Sequence, residues 1–368
     1  MMKGYFFLLL IILKPTVLLA QKPASLPKHT ALSTPELSFE VLWNTFQDHY
    51  AFFKVKEVNW HQAYRKYRPL VHAHTTEDSL FSICSAMLLP FRDGQVRLVN
   101  NQGKVFQGSR FIHKSSILSP LKSFYPDYSI LAQQGFQKEQ SLGPMVHQQP
   151  WISYALSPKL AYVRVNRFFA DSTADLKSAV KNLARHLDTL FSKIAMAPGL
   201  IIDLRNTRGG QRAFAYEWVT RFISKQTVGL YRRDRQPGVN YEDLTPAETE
   251  FVEPGTAKPY SGPVALLTNP YTADAADVFT VIMNEVPQVL LIGENTLGNY
   301  SDPYWFRLPN GWNVSLSNQR YYNARMICYE GMGTPVDILV KNNNNSSTQD
   351  PVLMRAIQEL MIRVSTDK

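Results

Sequence analysis

The amino-acid sequence predicts an α/β fold, and the first observation behind that prediction lies in the last third of the chain. Residues 264–299 read as a buried strand over Val264–Thr268, a Pro-containing turn, a helix that opens near Ala275, and a second strand over 289–292. Apolar runs of strand length beside a helical period are typical of an α/β layer. The first N–H groups of a helix are unpaired and can face a ligand, so Asp274 at this turn is a candidate functional residue.

The second observation is a strand–helix–strand unit further upstream. The segment 160–165 (LAYVRV) reads as a strand, 175–195 as an amphipathic helix, and 200–205 (LIIDLR) as another strand. The apolar residues of the helix follow the 3.6-residue period, and its charged residues fall on the opposite side. This order predicts a helix that covers one face of a sheet.

Composition limits the class of protein. The chain has 368 residues, of which 45% are apolar and 19% charged, as in a globular protein of one large or two ordinary domains. Its net charge of +9 predicts solubility and weak attraction to acidic surfaces, and does not indicate nucleic-acid binding. The densest basic run, at 231–235, is predicted to lie in a loop. Cys84 and Cys328 are predicted to be free thiols rather than a disulfide.

The N-terminus reads as a secretory signal over residues 1–20, cut after Ala20. Its apolar run is too short to span a bilayer, so we expect a periplasmic or secreted protein without stable membrane insertion after cleavage. Lys14 and Pro15 interrupt the run, and Leu18 is larger than the residue usual before a cleavage site. These departures leave an uncleaved anchor open.

Along the rest of the chain, the sequence predicts a linker over 21–34, an N-terminal helical subdomain over 35–100, a connecting segment over 101–158 and an α/β core over 159–368. Helix starts in the N-terminal subdomain are expected at Ser33 or Thr34, at Asn59 and at Thr76. In the core we further expect a helix over 213–223 in an otherwise polar loop segment, a turn over 308–311, strands near 312–316, 319–322 and 336–340, and a last helix from Pro351.

Several motifs, in order, carry a resemblance to a known family. They are FRDGQVRL (91–98), GLIIDLRNTRGG (199–210), PVALLTNPYTADAADVF (263–279), LLIGENTLG (290–298), LPNGW (308–312) and YEGMGTPVDI (329–338). The chain resembles the C-terminal-processing, or tail-specific, serine peptidase family and its tricorn-like branch. The resemblance implies a ClpP/crotonase-like α/β core with an N-terminal helical subdomain. Many relatives insert a PDZ module, but about fifty connecting residues are too few for one, so none is predicted here.

The resemblance also assigns the site, and shows that its reactive residues are replaced. The family turn T-x-S-A-A-E carries the nucleophilic serine where this chain has Asp274. The tricorn-like histidine that follows an Asp-Gly pair corresponds to Gln95, and the lysine of the other branch corresponds to Asn299. Glu330, in the Y-E-G-x-G motif, matches the third triad position.

The resemblance implies an oxyanion hole that is still present. Its donors would be the N–H of Ala275 and an N–H of the loop at Gly209 or Gly210. A simple pair of turn glycines remains the alternative for that loop. We expect Asp274 to stay ionised and to cap the helix that begins at Ala275, because a carboxylate at a helix N-terminus is stabilised by the unpaired N–H groups.

Three classes of function remain open. The first is a degenerate peptidase that binds a peptide or protein segment in its cleft, without cofactor or metal. The second is a working serine-type peptidase with a divergent catalytic set. The third is another hydrolase or a metal site. The residues that could serve the second class are Thr272, Ser301, His113 and His147, and those for the third are Asp274, Asp277 and Glu330.

Overall fold

A computed structural model describes residues 32–108, 128–145, 149–170, 175–341 and 350–366. Within these ranges the chain alternates helices and strands as the sequence predicts, and the fold is the α/β architecture expected of a tail-specific protease core with an N-terminal helical part. The helices are α1 (Thr34–His49), α2 (Trp60–Tyr67), α3 (Glu77–Leu88), α4 (Tyr128–Gln133), α5 (Leu176–Ile194), α6 (Arg212–Val219), α7 (Ala275–Met283) and α8 (Pro351–Thr366).

The strands of the described residues form three sheets. The strands are β1 (Arg97–Val99), β2 (Val105–Gln107), β3 (Gln140–Leu142), β4 (Ile152–Leu156), β5 (Leu160–Val165), β6 (Gly199–Asp203), β7 (Thr227–Asp234), β8 (Glu248–Val252), β9 (Val264–Thr268), β10 (Val289–Gly293), β11 (Pro303–Arg307), β12 (Asn313–Ser317), β13 (Gln319–Tyr322) and β14 (Ile338–Leu339).

The central sheet has the order β14-β10-β9-β6-β5-β4-β3. Its strands from β14 to β5 run parallel, and β4 and β3 are added antiparallel at one edge. Strands β5, β6 and β9 are buried along their whole length, as expected for a sheet that is covered on both faces. The sheet therefore includes two strands, β3 and β4, from the stretch that the sequence assigned to a connecting segment.

Helix α5 shows why the strand–helix–strand prediction holds. Asp175 caps it by accepting hydrogen bonds from the N–H groups of Lys177 and Ser178, at 3.0 and 3.1 Å. Its apolar stripe, which includes Leu183 and Leu187, is buried against the central sheet. A cap of this kind is worth about 1 kcal/mol, and the buried stripe provides most of the helix's stability.

The N-terminal helices share a second core with an antiparallel sheet of order β11-β12-β1-β2. Their N-caps are Ser33, Asn59 and Thr76, as the sequence predicts. The fully buried Trp60 and Trp312 belong to this core, which joins residues from both halves of the sequence. It holds the loop that precedes β1, and with it Gln95, in a fixed position.

The polar segment between α6 and β9 is not the loop that the sequence predicts. It contains β7 and β8, which pair with β13 in a three-stranded sheet, and the basic run at 231–235 lies mostly within β7. Arg232 forms a salt bridge with Glu248 on the neighbouring strand, and Arg233 donates to the carbonyl of Thr245. Cross-strand partners of this kind stabilise charged side chains in a strand, and they cannot be seen in a local reading of the sequence.

The two cysteines are unpaired, as predicted. Cys84 is buried, and burial raises its pKa to about 12; Cys328 is only partly buried, and burial raises its pKa to about 11. Both thiols are therefore protonated near neutral pH. No helix in the described part of the chain is long and apolar enough to cross a membrane. The predicted signal at 1–20 lies outside the described residues.

Candidate functional site

The cleft that holds the candidate residues lies at the carboxyl ends of the parallel strands. The loops that follow β6, β9 and β10 meet there, which is where ligands bind in open α/β sheets. The cleft encloses about 350 Å³. Its lining includes Gln95, Asp274, Asn299 and Glu330, which come from four separate segments of the sequence. The structure therefore brings all four predicted positions to one cavity.

Asp274 occupies a sharp turn between β9 and α7. Its φ of 59° and ψ of −119° lie in a region that residues with a side chain seldom adopt. Such a conformation costs on the order of 1–3 kcal/mol, and it is found mainly where a turn presents a side chain to a functional site. The surrounding structure therefore holds Asp274 in a conformation that presents its side chain to the cleft.

The carboxylate of Asp274 is surrounded by hydrogen-bond donors. Its Oδ2 accepts from the backbone N–H of Gly209 at 3.0 Å. Its Oδ1 accepts from Nδ2 of Asn299 at 2.5 Å and from Nε2 of Gln95 at 3.3 Å. The residues at the predicted nucleophile, base and lysine positions are therefore in direct contact, and both amides orient their nitrogen toward the carboxylate.

The pKa of Asp274 reflects two opposed effects. Burial raises it above the usual value for an aspartate, whereas the hydrogen bonds from Asn299 and Gly209 and the nearby charge of Arg208 lower it. Donors to a carboxylate stabilise its charged form, and all three hydrogen-bond partners are donors. We therefore still expect Asp274 to be ionised at neutral pH. Because burial raises its pKa, the preference for the charged form is weaker than in a free aspartate.

The predicted helix cap is only half formed. The backbone N–H of Asp274 donates to Oδ2 of Asp277 at 3.1 Å, but the carboxylate of Asp274 turns toward Gly209 and Asn299 instead of the first turn of α7. Asp277 also accepts from the N–H groups of Gly298 and Asn299, at 3.1 and 2.9 Å. Burial raises its pKa to about 7. Asp277 therefore acts as a structural link that fixes the 298–299 loop beside the turn.

Glu330 lines the cleft but does not join the Asp274 cluster. Its Oε2 accepts from the N–H groups of Tyr300 and Ser301, at 2.8 and 3.3 Å. Burial, followed by repulsion from Asp93, raises the pKa of Glu330 to about 8, whereas Lys56 acts in the opposite direction. Near neutral pH this carboxyl therefore holds its proton in the folded protein.

This pKa predicts how stability depends on pH. A carboxyl whose pKa is raised by folding binds its proton more tightly when folded, so its stabilising effect is complete below about pH 4 and is lost as pH rises through about 8. The free energy of unfolding of the native chain should therefore fall between about pH 5 and pH 9. Glu330→Gln keeps an acceptor for the backbone N–H groups but cannot titrate. We expect it to reduce this fall by about 3–4 kcal/mol.

Urea unfolding at both pH values measures this effect, with Glu139→Gln at an exposed carboxyl as the control. Asp277 also titrates in this range and contributes to the slope that remains in Glu330→Gln. An unchanged slope in Glu330→Gln would contradict the protonated state assigned to Glu330.

The two glycines after β6 play different parts. Gly209, with φ 72°, supplies the N–H that contacts Asp274. Gly210 has φ 111°, and a Cβ there would lie 2.5 Å from the carbonyl oxygen of Phe168, so only glycine fits without a shift of the backbone. Ala275 is buried as the first residue of α7. The roles of Gly210 and Ala275 as oxyanion donors remain predictions.

The hydroxyls proposed for a divergent catalytic set are engaged elsewhere. Thr272 is fully buried and donates to the carbonyl of Leu204 at 2.9 Å. Ser301 is buried, donates to the carbonyl of Asp302 and accepts from the N–H of Gln319. His113 and His147, the bases proposed to activate them, lie outside the described residues.

The third class of function, another hydrolase or a metal site, would use Asp274, Asp277 and Glu330. Hydrogen bonds already occupy these carboxylates, mainly from backbone N–H groups, and the donors to Asp277 and Glu330 come from the same loop, at 298–301. Among the described residues, no group of three or more His, Cys, Asp or Glu side chains is arranged to hold a metal ion.

The sequence analysis missed the basic side chains of the cleft. Lys56, Arg92, Arg97 and Arg208 line it, from three segments of the chain. Arg92 and Arg97 lie in the motif at 91–98 and Arg208 in the motif at 199–210, but the sequence does not show that these motifs and Lys56 meet in one cleft. Asp93, which lies between Arg92 and Arg97, is buried and accepts from the hydroxyl of Tyr50 at 2.9 Å.

Two family models match the chain. The model described as peptidase family S41 matches residues 159–340, and that of the tricorn protease C1 domain matches residues 34–89. The chain is also similar to a carboxyl-terminal-processing protease of Picosynechococcus sp., with 23% identity over 163 residues, which cover 44% of this chain and 34% of that protein. The chain spans between a third and a half of the length of the curated relatives it matches.

Solved structures of similar fold cover most of the chain. A crystal structure of a candidate peptidase from Parabacteroides merdae superposes with a TM-score of 0.74 at 23% identity, and the match covers 89% of this chain and 97% of that one. Mature CPAF in complex with lactacystin superposes with a TM-score of 0.63 at 11% identity, over 91% and 99% of the two chains. At these identities the likeness establishes a common fold.

Proposed function

The chain belongs to peptidase family S41, and on that basis we propose that its cleft binds a peptide segment that the chain does not hydrolyse. The observation that carries this proposal is the environment of Asp274. Its carboxylate stands at the family's nucleophile position, and each of its three partners, Gly209, Gln95 and Asn299, is a donor. None of them can accept a proton from an attacking group near neutral pH.

The chemistry of covalent peptide hydrolysis explains why this arrangement is inactive. The reaction needs a hydroxyl or thiol, a base that takes its proton, and donors for the developing oxyanion. Attack by the Asp274 carboxylate would form an anhydride that reverts easily, and the side-chain amides of Gln95 and Asn299 cannot activate a water. In a well-studied serine protease, loss of the nucleophile alone lowers turnover by about a million-fold.

The position of the carboxylate also blocks the remaining catalytic element. The N–H of Gly209 is the donor expected to stabilise an oxyanion, and it already donates to Oδ2 of Asp274 at 3.0 Å. A peptide carbonyl in the cleft would have to displace a charged acceptor to reach it. The cleft can therefore bind a peptide in its ground state, but it does not stabilise the transition state of hydrolysis.

The cleft itself remains suited to a ligand. At about 350 Å³ it falls within the range of small-molecule and peptide pockets, and it combines polar side chains with backbone groups. Because the chain covers less than half of its curated relatives, their protease activity is not transferred to it. We further propose that the protein acts outside the cytoplasm, on the strength of the signal-like sequence at 1–20.

Two assays on the full chain test this function. Casein and unstructured peptides measure turnover, and a fluorophosphonate probe reports an activated serine. We expect no turnover and no labelling, together with saturable binding of fluorescent casein-derived peptides in an anisotropy titration. Gly94→Leu should weaken this binding at least about tenfold, because Gly94 lines the cleft and a larger side chain would occupy its space. A Cβ added at Gly94 would lie 3.5 Å from Nδ2 of Asn299.

Ser224→Leu is the matched control, since Ser224 is exposed and does not line the cleft. It should bind peptides as the native chain does. Robust cleavage or fluorophosphonate labelling of the native chain would show an active peptidase with a divergent catalytic set. Cleavage only with added divalent ions would favour a metal-dependent hydrolase. Peptide binding that Gly94→Leu leaves unchanged would place the binding site elsewhere.

A further inference from the structure

The cleft around Asp274 carries four cationic side chains for which the proposed chemistry gives no role. They are Lys56, Arg92, Arg97 and Arg208. The salt bridges found among the described residues all involve other cations. These four side chains therefore form no salt bridge in the described part of the chain, although the charge of Arg208 acts on Asp274 and that of Lys56 on Glu330 at longer range.

The acidic side chains of the same cleft do not fully offset the charges of the four cations. Asp93 and Glu330 are each only 2% exposed. Asp93 accepts from the hydroxyl of Tyr50 and the N–H of Gln95, both at 2.9 Å, and Glu330 accepts from the backbone at 300 and 301. Asp274 is the third acid of the cleft, and its carboxylate accepts from Gly209, Gln95 and Asn299. The four cations outnumber the three acids, so the cleft carries an excess of positive charge.

Two of the cations are held in place by aromatic rings. The guanidinium of Arg97 lies 5.8 Å from the ring centre of Trp305, and that of Arg208 lies 4.6 Å from the ring centre of Tyr271. Stacking on an aromatic face fixes the plane of a guanidinium and leaves its edge free to donate, so less freedom is lost when it binds a carboxylate.

Arg97 also carries a donor that lacks a partner. Its Nε is buried and makes no hydrogen bond to any residue in the described ranges. A buried donor without a partner is unfavourable, and the side chain of Arg97 would remove that cost by turning its Nε toward a bound acceptor. The Nε and a terminal nitrogen of a guanidinium together match the two oxygens of a carboxylate.

Taken together, these features say which peptides the cleft should prefer. We propose that it selects peptide segments that carry acidic side chains, with Arg97 as the principal contact and Lys56, Arg92 and Arg208 as further positive groups around it. This inference rests on the proposed function, because it assumes that a peptide occupies the cleft. The ligand class is a segment with clustered Asp or Glu residues.

The test compares two fluorescent peptides that differ only in charge. One contains a run of Glu residues, the other has Gln at the same positions, and both are amidated so that no terminal carboxylate contributes. In anisotropy titrations with the full chain, we expect the Glu peptide to bind at least about tenfold more tightly than the Gln peptide at low salt. The difference should shrink as salt is added, because the cations border solvent.

Arg97→Gln should lower affinity for the Glu peptide about tenfold and leave affinity for the Gln peptide nearly unchanged. Arg97→Glu should lower affinity for the Glu peptide further. Arg185→Gln, an exposed arginine on α5 outside the cleft, is the matched control and should bind both peptides as the native chain does. Circular dichroism of each variant confirms that it is folded.

The outcomes separate this inference from the proposed function. Equal binding of the two peptides would overturn the acidic preference and leave peptide binding intact. An acidic preference that persists in Arg97→Gln would refute the role of Arg97. Binding of neither peptide, nor of the casein-derived pool, would count against the proposed function itself. A preference restored only with a free C-terminal carboxylate would show that the cations recognise a chain end instead.

Discussion

The double substitution Gln95→His/Asp274→Ser is expected to create a reactive serine at position 274. Nε2 of Gln95 already lies 3.3 Å from the Asp274 carboxylate, so a histidine at that position can reach a hydroxyl on the same turn. Removal of the carboxylate also frees the N–H of Gly209 to stabilise an oxyanion. General-base catalysis typically contributes about 10²–10⁴-fold, so we expect fluorophosphonate labelling at least about 100-fold faster than in the native chain.

The single substitutions supply the internal control for this experiment. A nucleophile and its base act as a unit, so Asp274→Ser alone should label slowly and Gln95→His alone not at all. Asn299→Lys/Asp274→Ser tests the other branch of the family, because Nδ2 of Asn299 is also in contact with the carboxylate. If none of the folded variants labels faster than the native chain, the assignment of these positions to the family's nucleophile and base is wrong.

Replacement of Arg205 by methionine is expected to cause the largest loss of stability. Arg205 is only 2% exposed and donates four hydrogen bonds, two to Asp203 and two to Asp350, at 2.6–3.0 Å. Without the guanidinium, two carboxylates remain buried side by side. Removal of one partner from a buried ionic group typically costs about 3–5 kcal/mol, and urea unfolding at neutral pH measures it.

Arg355→Met is the matched control for this measurement. Its guanidinium pairs with Glu359 one turn along the same helix in an exposed position, where such a pair contributes about 0.3–0.5 kcal/mol. Addition of Asp203→Asn and Asp350→Asn to Arg205→Met should recover part of the loss, since fewer charges are then left buried. A loss below about 1 kcal/mol in Arg205→Met would show that this network does not anchor α8 to the sheet.

The local elements of the fold were predictable because their signals are local. The strands β5, β6 and β9 are continuous apolar runs, and α5 has a 3.6-residue period behind an Asp cap, so each element follows from residues close together in sequence. The three-stranded sheet that contains β7 was missed, because its arginines are stabilised by partners on other strands.

The site was predictable only in part. The order of the motifs named Gln95, Asp274, Asn299 and Glu330, and the structure places all four in one cleft. The motifs did not reveal that Glu330 bonds to the backbone of the neighbouring loop, or that the Asp274 carboxylate turns away from its own helix toward Gly209. These details depend on distances between loops, which no motif encodes.

The sequence by itself determined the α/β class and the positions of most helices and strands, and its resemblance to the family predicts Asp274 and Gln95 at positions where the family has a hydroxyl and an imidazole. The tertiary structure alone decided that the Asp274 carboxylate is buried among donors and that Lys56, Arg92, Arg97 and Arg208 surround the same opening. The physical reason is that side-chain identity and local periodicity are written along the chain, whereas charge, burial and hydrogen bonding depend on neighbours that only folding brings within a few ångströms.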